Sequence, residues 1–324
     1  MTPEKKDLLF FDWAVIDDCN LNCSYCVNKG EYSQKERTKI SYSPGREIEI
    51  ARKIAEISQF AKKVIVVFSG GEPLLARNIV EVIEILSAVP NIETRLITNL
   101  ISIDRIMDHV PKLSQIVASL HIKYRSDADV EFLISRINKL KNITALSLAQ
   151  VDYGLSIADR KRLCEIESKT GQRIFFQSYI PPWTVTGKIS KEKEVEAARN
   201  FVTSLGKRCA LGYFYYIILA DASFYYGLWC NSRYDKPRLK MGNFLDGFSV
   251  NKDKFFPPGM EKCPYLYCGC NYNTIYEYGT YRSACKQLGY KDEEIFKPQN
   301  ISFVGRLRLL RAMLLSKGLG FLRR

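Results

Sequence analysis

Along the first two-thirds of the chain, short apolar runs alternate with segments of helical periodicity. The runs Leu8–Ile16, Val64–Ser69, Thr94–Thr98, Gln115–Leu120, Ile143–Val151 and Arg173–Ile180 are rich in β-branched and aromatic residues. They suit parallel strands covered on both faces. Between them, Arg46–Ser58, Asn78–Ala88, Ile103–Leu113, Ala128–Leu140 and Ile157–Thr170 repeat apolar residues at helical spacing. Ser156 is an N-cap for the last of these and Gly171 a stop. Six strands with intervening helices predict an α/β fold of βα units. Eight units close a full barrel; six predict a partial (βα)6 barrel, curved and open. In parallel sheets of this kind the chemistry gathers at the C-terminal ends of the strands.

The pattern changes after a Pro- and Gly-bearing loop, Pro181–Gly187, and a charged helical segment, Lys191–Leu205. Residues 209–285 hold six cysteines, many tyrosines and little helical period. Tyr213–Leu219 and Ser223–Trp229 read as a hairpin around Ala220–Ala222. Three regions follow: a barrel over 1–205, a small cysteine-rich domain over 206–298 with a β-hairpin, and a basic tail over 299–324.

At 324 residues, 46% hydrophobic and 26% charged, the chain can bury a sizeable core, which excludes wholesale disorder. Basic residues exceed acidic ones by 13, and seven of the cations follow Glu294, the last acidic residue. Much of the excess is therefore a property of the tail. Nucleic acid, an anionic membrane or a phosphorylated substrate suits such charge, as does a solvated face. The start, MTPEKKDLLFFDWAVIDD, has an apolar run broken by Asp12 and no small-residue cleavage site. No stretch reaches the ~20 apolar residues of a membrane span. A cytoplasmic setting is expected, where ten clustered cysteines point to metal rather than disulfides.

Cys19-Asn20-Leu21-Asn22-Cys23-Ser24-Tyr25-Cys26 follows the first strand directly. Three thiols so close suit an iron–sulfur cluster. On a four-iron cubane they leave one iron without a protein ligand, the open position that metal catalysis uses. Zinc would want a fourth ligand, and neither His109 nor His121 is near in sequence. Cys23 and Cys26 alone would also serve as a redox pair or half a zinc site. The second strand ends in Ser69-Gly70-Gly71-Glu72-Pro73, with glycines that admit close backbone approach and a carboxylate that accepts from an ammonium. Thr98-Asn99 ends the third strand, Ser119-Leu120-His121 the fourth, and Gln177 and Ser178 lie on the sixth. One ligand could touch polar groups at all these strand ends. His121 reads equally as a hydrogen-bonded structural histidine.

Over residues 8–180 these motifs resemble the radical S-adenosylmethionine (SAM) superfamily, most specifically in the Cys-x3-Cys-x2-Cys loop and Gly-Gly-Glu-Pro. The resemblance implies a SAM-cleaving 4Fe–4S cluster on Cys19, Cys23 and Cys26, its open iron chelated by SAM. It implies Tyr25 near the adenine, Gly70, Gly71, Glu72 and Pro73 at the SAM amino group, and SAM-facing roles for Thr98, Asn99, Ser119, His121 and Gln177. Leu100 departs from a Thr-Asn-Gly strand end. Reductive cleavage of SAM would yield a 5′-deoxyadenosyl radical that abstracts hydrogen from a substrate.

Cys209 and Cys230 flank the hairpin, and Cys263, Cys268 and Cys270 form a short run before Cys285. This is similar to the auxiliary-cluster domains (SPASM/Twitch-like) of peptide-modifying, sulfatase-maturating and aminocyclitol-oxidising members. The run lacks one cysteine of the full pattern. One auxiliary 4Fe–4S cluster is expected, on Cys209, Cys230 and two of Cys263, Cys268 and Cys270. Structural zinc is the competing metal. Cys164, in a helical pattern, reads as a buried small hydrophobe.

An oxidoreductase or maturase follows. Eighteen residues precede Cys19, shorter than the leader-binding region ahead of the barrel in many peptide maturases. That favours a small-molecule, sugar-like substrate over a peptide or protein. A flavodoxin- or ferredoxin-like reductant is expected as partner, and nucleic acid is not. The non-enzymatic rival is a zinc-stabilised nucleic-acid-binding protein, which leaves Gly-Gly-Glu-Pro unexplained. In the tail, Phe303, Leu307, Leu310 and Leu314 form an apolar stripe flanked by Arg306, Arg308, Arg311 and Lys317. It suits docking on the barrel, or peripheral contact with a membrane.

Overall fold

A computed structural model describes residues 5–26, 43–178, 214–226 and 240–246. These residues all fall within one compact unit. The first strand, β1 (Lys6–Ile16), is followed by α1 (Arg46–Ile57), β2 (Ala61–Gly70), α2 (Ile79–Ser87) and β3 (Ile92–Thr98). A 3-10 segment, Ile103–Lys112, then leads to β4 (Gln115–Ser119). The order continues with α3 (Asp127–Leu140), β5 (Ala145–Asp152), α4 (Ile157–Thr170) and β6 (Ile174–Ser178). Pro111 lies inside the segment expected as a helix over 103–113, consistent with its tighter 3-10 form. The six strands pair in parallel in the order β6-β5-β4-β3-β2-β1, and the sheet does not close. The partial-barrel expectation is met.

Side-chain alternation sorts the sheet into a dry face and a wetter one. Trp13, Phe68, Leu96 and Ile116 stand in one row across β1–β4 and are fully buried. The apolar stripes of the helices, such as Ile79, Val82, Ile83 and Leu86 of α2, need such a surface. The opposite face of β3–β5 carries Glu93, Arg95, Gln115 and Ser147, all half-buried. Arg95 and Lys63 both pair with Glu93, at 2.7 and 2.6 Å, and Gln115 donates to Ser147 at 3.2 Å. The expectation of strands covered on both faces is therefore corrected for β3–β5. Apart from buried Ala149 on β5, every second residue there is polar or half-exposed, because a charged group keeps its hydration unless a partner replaces it.

Helix ends follow local chemistry. Ser126 and Ser156 each form a capping box with the aspartate three residues on, and Gly171 ends α4 at φ 68°. Cys164 is exposed, not buried as expected. It sits one residue off the buried stripe of Leu163, Ile166 and Thr170, which rotates it about 100° around the helix.

The expected hairpin forms from β7 (Tyr215–Ile218) and β8 (Ser223–Tyr226), joined by a third strand, β9 (Lys240–Asn243). It continues the main sheet: β7 pairs in parallel with β1, Phe10 opposite Tyr215 and Trp13 opposite Ile218. Phe11, Tyr216, Phe224 and Phe244 cluster there with ring centroids 5.0 to 6.1 Å apart. Burying each such side chain contributes roughly 1.5–3 kcal/mol, enough to hold a short hairpin against β1. Asp12 adds a polar tie, accepting from Ser69 Oγ on β2 and, at 3.0 Å, from Tyr215 Oη on β7. Among the described residues, no helix is long and apolar enough to cross a membrane. The segments 181–187 and 191–205, the domain boundaries at 205 and 298, the six cysteines from Cys209 to Cys285 and the tail lie outside the described residues.

Candidate functional site

The cysteine loop leaves β1 at Ile16 and is anchored at its root by the end of β2. Gly71 N donates to Ile16 O at 2.7 Å and Glu72 N to Asp18 O at 2.8 Å. The glycines make this approach possible. A Cβ on Gly71 would lie 2.1 Å from Asp18 O, and one on Gly70 2.5 Å from Ile16 O. Gly70 also holds φ 112°, a backbone that L side chains rarely adopt. What these glycines admit closely is thus the backbone of residues 16–18. Further along, Cys26 N donates to Cys23 O at 3.0 Å, closing a tight backbone turn between the two cysteines.

Cys23 is buried, while Cys19 and Cys26 are half-buried. Leu21 N donates to Cys19 Sγ at 3.4 Å, and Asn99 Nδ2 lies 3.9 Å from the same sulfur. Burial pushes the Cys23 thiol up to about 12, and the charges of Cys26 and Cys19 push the same way. A hydrogen bond with Tyr25 and the charge of Arg125 act against them. Three thiolates in such a place repel one another unless a cation binds them. A cationic iron–sulfur cluster is such a group, and this donor set fits it. Among the described residues, no three Cys, His, Asp or Glu side chains are gathered to grip a single metal ion.

Glu72 is 1% exposed. Its Oε1 accepts from Thr98 Oγ1 at 2.7 Å and from Leu74 N at 3.2 Å, and its Oε2 from Asn99 N at 2.8 Å. Burial raises its pKa against the pull of these three donors and of Arg125. The carboxylate therefore latches the end of β2 to that of β3, and Pro73 starts the 3-10 turn below it. Asn99 also donates to Asn20 Oδ1 at 2.7 Å, linking β3 to the cysteine loop. Leu100 adopts φ 64° and is fully buried. The left-handed turn that glycine would favour is thus kept with leucine in its place.

At the end of β4, Leu120 is buried and Ser119 half-buried; His121 turns left-handed at φ 49°. His121 Nδ1 lies 2.8 Å from Tyr25 Oη, and the two rings stack at 5.9 Å. Burial, with Arg125 nearby, pulls His121 down to about 4, so it is neutral at pH 7. Burial raises the Tyr25 phenol, which therefore stays protonated, and the direction of its hydrogen bond with Nδ1 follows the tautomer of the neutral imidazole. Tyr124 packs edge-on to Tyr25 at 5.7 Å and accepts from Ser24 N at 2.7 Å. Gln177 pairs with Val151 and Ser178 with Asp152 in the sheet register, at the end of β6.

The structure thus brings together the cysteine loop, Tyr25, Gly70, Gly71, Glu72, Thr98, Asn99 and His121. Sequence reasoning missed Asn20, Tyr124 and Arg125. Arg125 lies between His121 and the Ser126 cap, where no periodicity or spacing sets it apart.

The family model described as Radical SAM superfamily matches residues 13–154. A probable GTP 3',8-cyclase of Methanocaldococcus jannaschii is 27% identical over 179 residues, 52% of this chain and 58% of that one. A GTP 3',8-cyclase of Chlorobaculum tepidum is 34% identical over 96 residues, 29% of this chain and 27% of that one. The chain therefore spans less than two-thirds of the length of either curated relative. Among solved structures, native anSMEcpe with bound AdoMet superposes with a TM-score of 0.51 at 15% identity. That match covers 87% of this chain and 99% of the other, a likeness of fold.

Proposed function

Because residues 13–154 form a radical SAM domain, which makes the chain a member of that superfamily of enzymes, we propose that it cleaves SAM reductively and abstracts hydrogen from a small molecule bearing a sugar-like ring. The observation that carries this reading is the three-thiol loop clamped by Gly70–Gly71–Glu72. Cys19, Cys23 and Cys26 would hold the cluster, leaving one iron for SAM. When bound, the cluster supplies the electron that breaks the sulfur–carbon bond of SAM and so starts hydrogen abstraction.

The chain's own residues bind, orient and exclude water. Gly71 and Glu72 fix the loop root through their backbone donors. Tyr25, held by neutral His121, is proposed to lie near the adenine of SAM. Thr98, Asn99, Ser119 and Gln177 are proposed to complete the SAM site, with Gly70, Gly71, Glu72 and Pro73 towards its amino group. Since both oxygens of Glu72 are engaged within the chain, backbone groups of this strand end would carry that contact. Cys209, Cys230 and two of Cys263, Cys268 and Cys270 are proposed to hold one auxiliary cluster that accepts the second electron of an oxidation. A flavodoxin- or ferredoxin-like protein is the proposed reductant.

A nucleotide is the first sugar-bearing substrate to test, since the curated relatives are named for GTP. A peptide or protein side chain is the second reading to test, since one solved structure of similar fold holds a Cp18Cys peptide and AdoMet. The test is anaerobic incubation with SAM, a strong reductant and, in parallel, GTP, free sugars or peptides. Formation of 5′-deoxyadenosine, stimulated by one class and abolished by Cys23→Ala, supports the proposal. Cleavage no greater than in Cys23→Ala overturns it.

A further inference from the structure

We infer that Arg125 is a positioning residue whose buried charge stabilises the reduced form of the cluster held by Cys19, Cys23 and Cys26. The inference rests on the reading of that loop as a cluster site. Arg125 is 6% exposed. Its Nε donates to Leu120 O at 3.2 Å and its Nη2 to Asn99 O at 2.6 Å. Both partners are neutral carbonyls, at the ends of β4 and β3. A buried guanidinium without a contact carboxylate is costly unless an anion lies near.

The anions whose charge reaches it are Asp129, Cys23 and Glu72. Asp129 faces the Ser126 cap, taking Ser126 N at 2.8 Å. Glu72 is satisfied by Thr98 Oγ1, Asn99 N and Leu74 N. Cys23 is the remaining partner, and it becomes an anion when it binds metal as a thiolate, which gives the loop its negative charge. Arg125 also acts through geometry. It holds the carbonyl of Asn99, whose amide reaches Asn20 and lies 3.9 Å from Cys19 Sγ. One side chain thus fixes the turn that touches the loop and places a buried cation whose charge reaches Cys23.

Adding an electron makes a thiolate-bound cluster more negative, so a nearby fixed cation favours reduction. The test uses the full chain, reconstituted anaerobically, as wild type, Arg125→Lys and Arg125→Gln. The readout is the midpoint potential of the paramagnetic signal that changes when SAM is added, alongside iron content. Arg125→Gln is expected to be about tenfold harder to reduce, a fall of about 59 mV for one electron. Arg125→Lys, which keeps the charge, is expected to stay near wild type. An unchanged potential in Arg125→Gln, or an equal fall in both variants, overturns the inference. If Arg125→Gln loads no iron, Arg125→Lys must still load it at near wild-type potential; failure there overturns the inference as well. A wild-type protein with no SAM-responsive signal overturns the cluster reading itself and the inference with it.

Discussion

Two residues hold a left-handed backbone beside the cysteine loop, and each can be weighed. Leu100 at φ 64° carries a strain of about 1–2 kcal/mol for a non-glycine residue. Its side chain is fully buried, and removing such a leucine costs about 2–5 kcal/mol. Burial exceeds strain, so Leu100→Gly is expected to destabilise the protein by on the order of 2 kcal/mol in urea unfolding. A stability equal to wild type would show that the turn, not the packing, dominates. His121 gives a pH dependence. Its folded-state pKa, about 4, lies below the ordinary 6.5, so its stabilising effect is complete above pH 6.5 and lost as pH falls towards 4. The loss approaches roughly 3 kcal/mol, at about 1.4 kcal/mol per unit. His121→Asn tolerates the left-handed turn and does not titrate in that window. Unfolding of the metal-free protein between pH 7 and 4 should fall more steeply in wild type than in this variant. Parallel slopes would contradict the assigned environment of His121.

Between elements, the decisive contacts join strand ends. Gly71 sits where β2 meets the root of the cysteine loop, and a methyl group there would meet Asp18 O at 2.1 Å. Gly71→Ala is therefore expected to shift the loop and lose most of the iron on reconstitution, while its circular dichroism stays near wild type. Full iron loading by that variant would refute the clamp. These relations were only partly legible in the sequence. Cysteine spacing was readable because three ligands within eight residues are joined by a short covalent path. The helix signals at Ser156 and Gly171 were readable because capping is local. What the glycines touch was not, since residues 16–18 and 70–72 are far apart in the chain. Nor was the latch from Glu72 to Thr98 and Asn99, or the role of Arg125, for the same reason.

Across the whole molecule, the order of strands decides what the hairpin belongs to. Its period was visible in the sequence, but its pairing with β1 links residues such as Asp12 and Tyr215, 203 positions apart. No local pattern encodes such a partner. β9, Lys-Met-Gly-Asn, has neither the alternation nor the β-branched content of a strand, and is a strand through its pairing with β8. The wetter face of β3–β5 was in the sequence as alternating polar residues, outweighed by the apolar content of each run. An open parallel sheet with its thiol loop at the strand ends then makes one central demand: a cluster with an iron that SAM itself can reach. Electron paramagnetic resonance of the reduced, reconstituted protein, recorded with and without SAM, meets it most directly. The account predicts a 4Fe–4S signal that changes on SAM addition and is missing in Cys23→Ala. A protein that takes up zinc instead, or whose iron–sulfur signal ignores SAM, would contradict it.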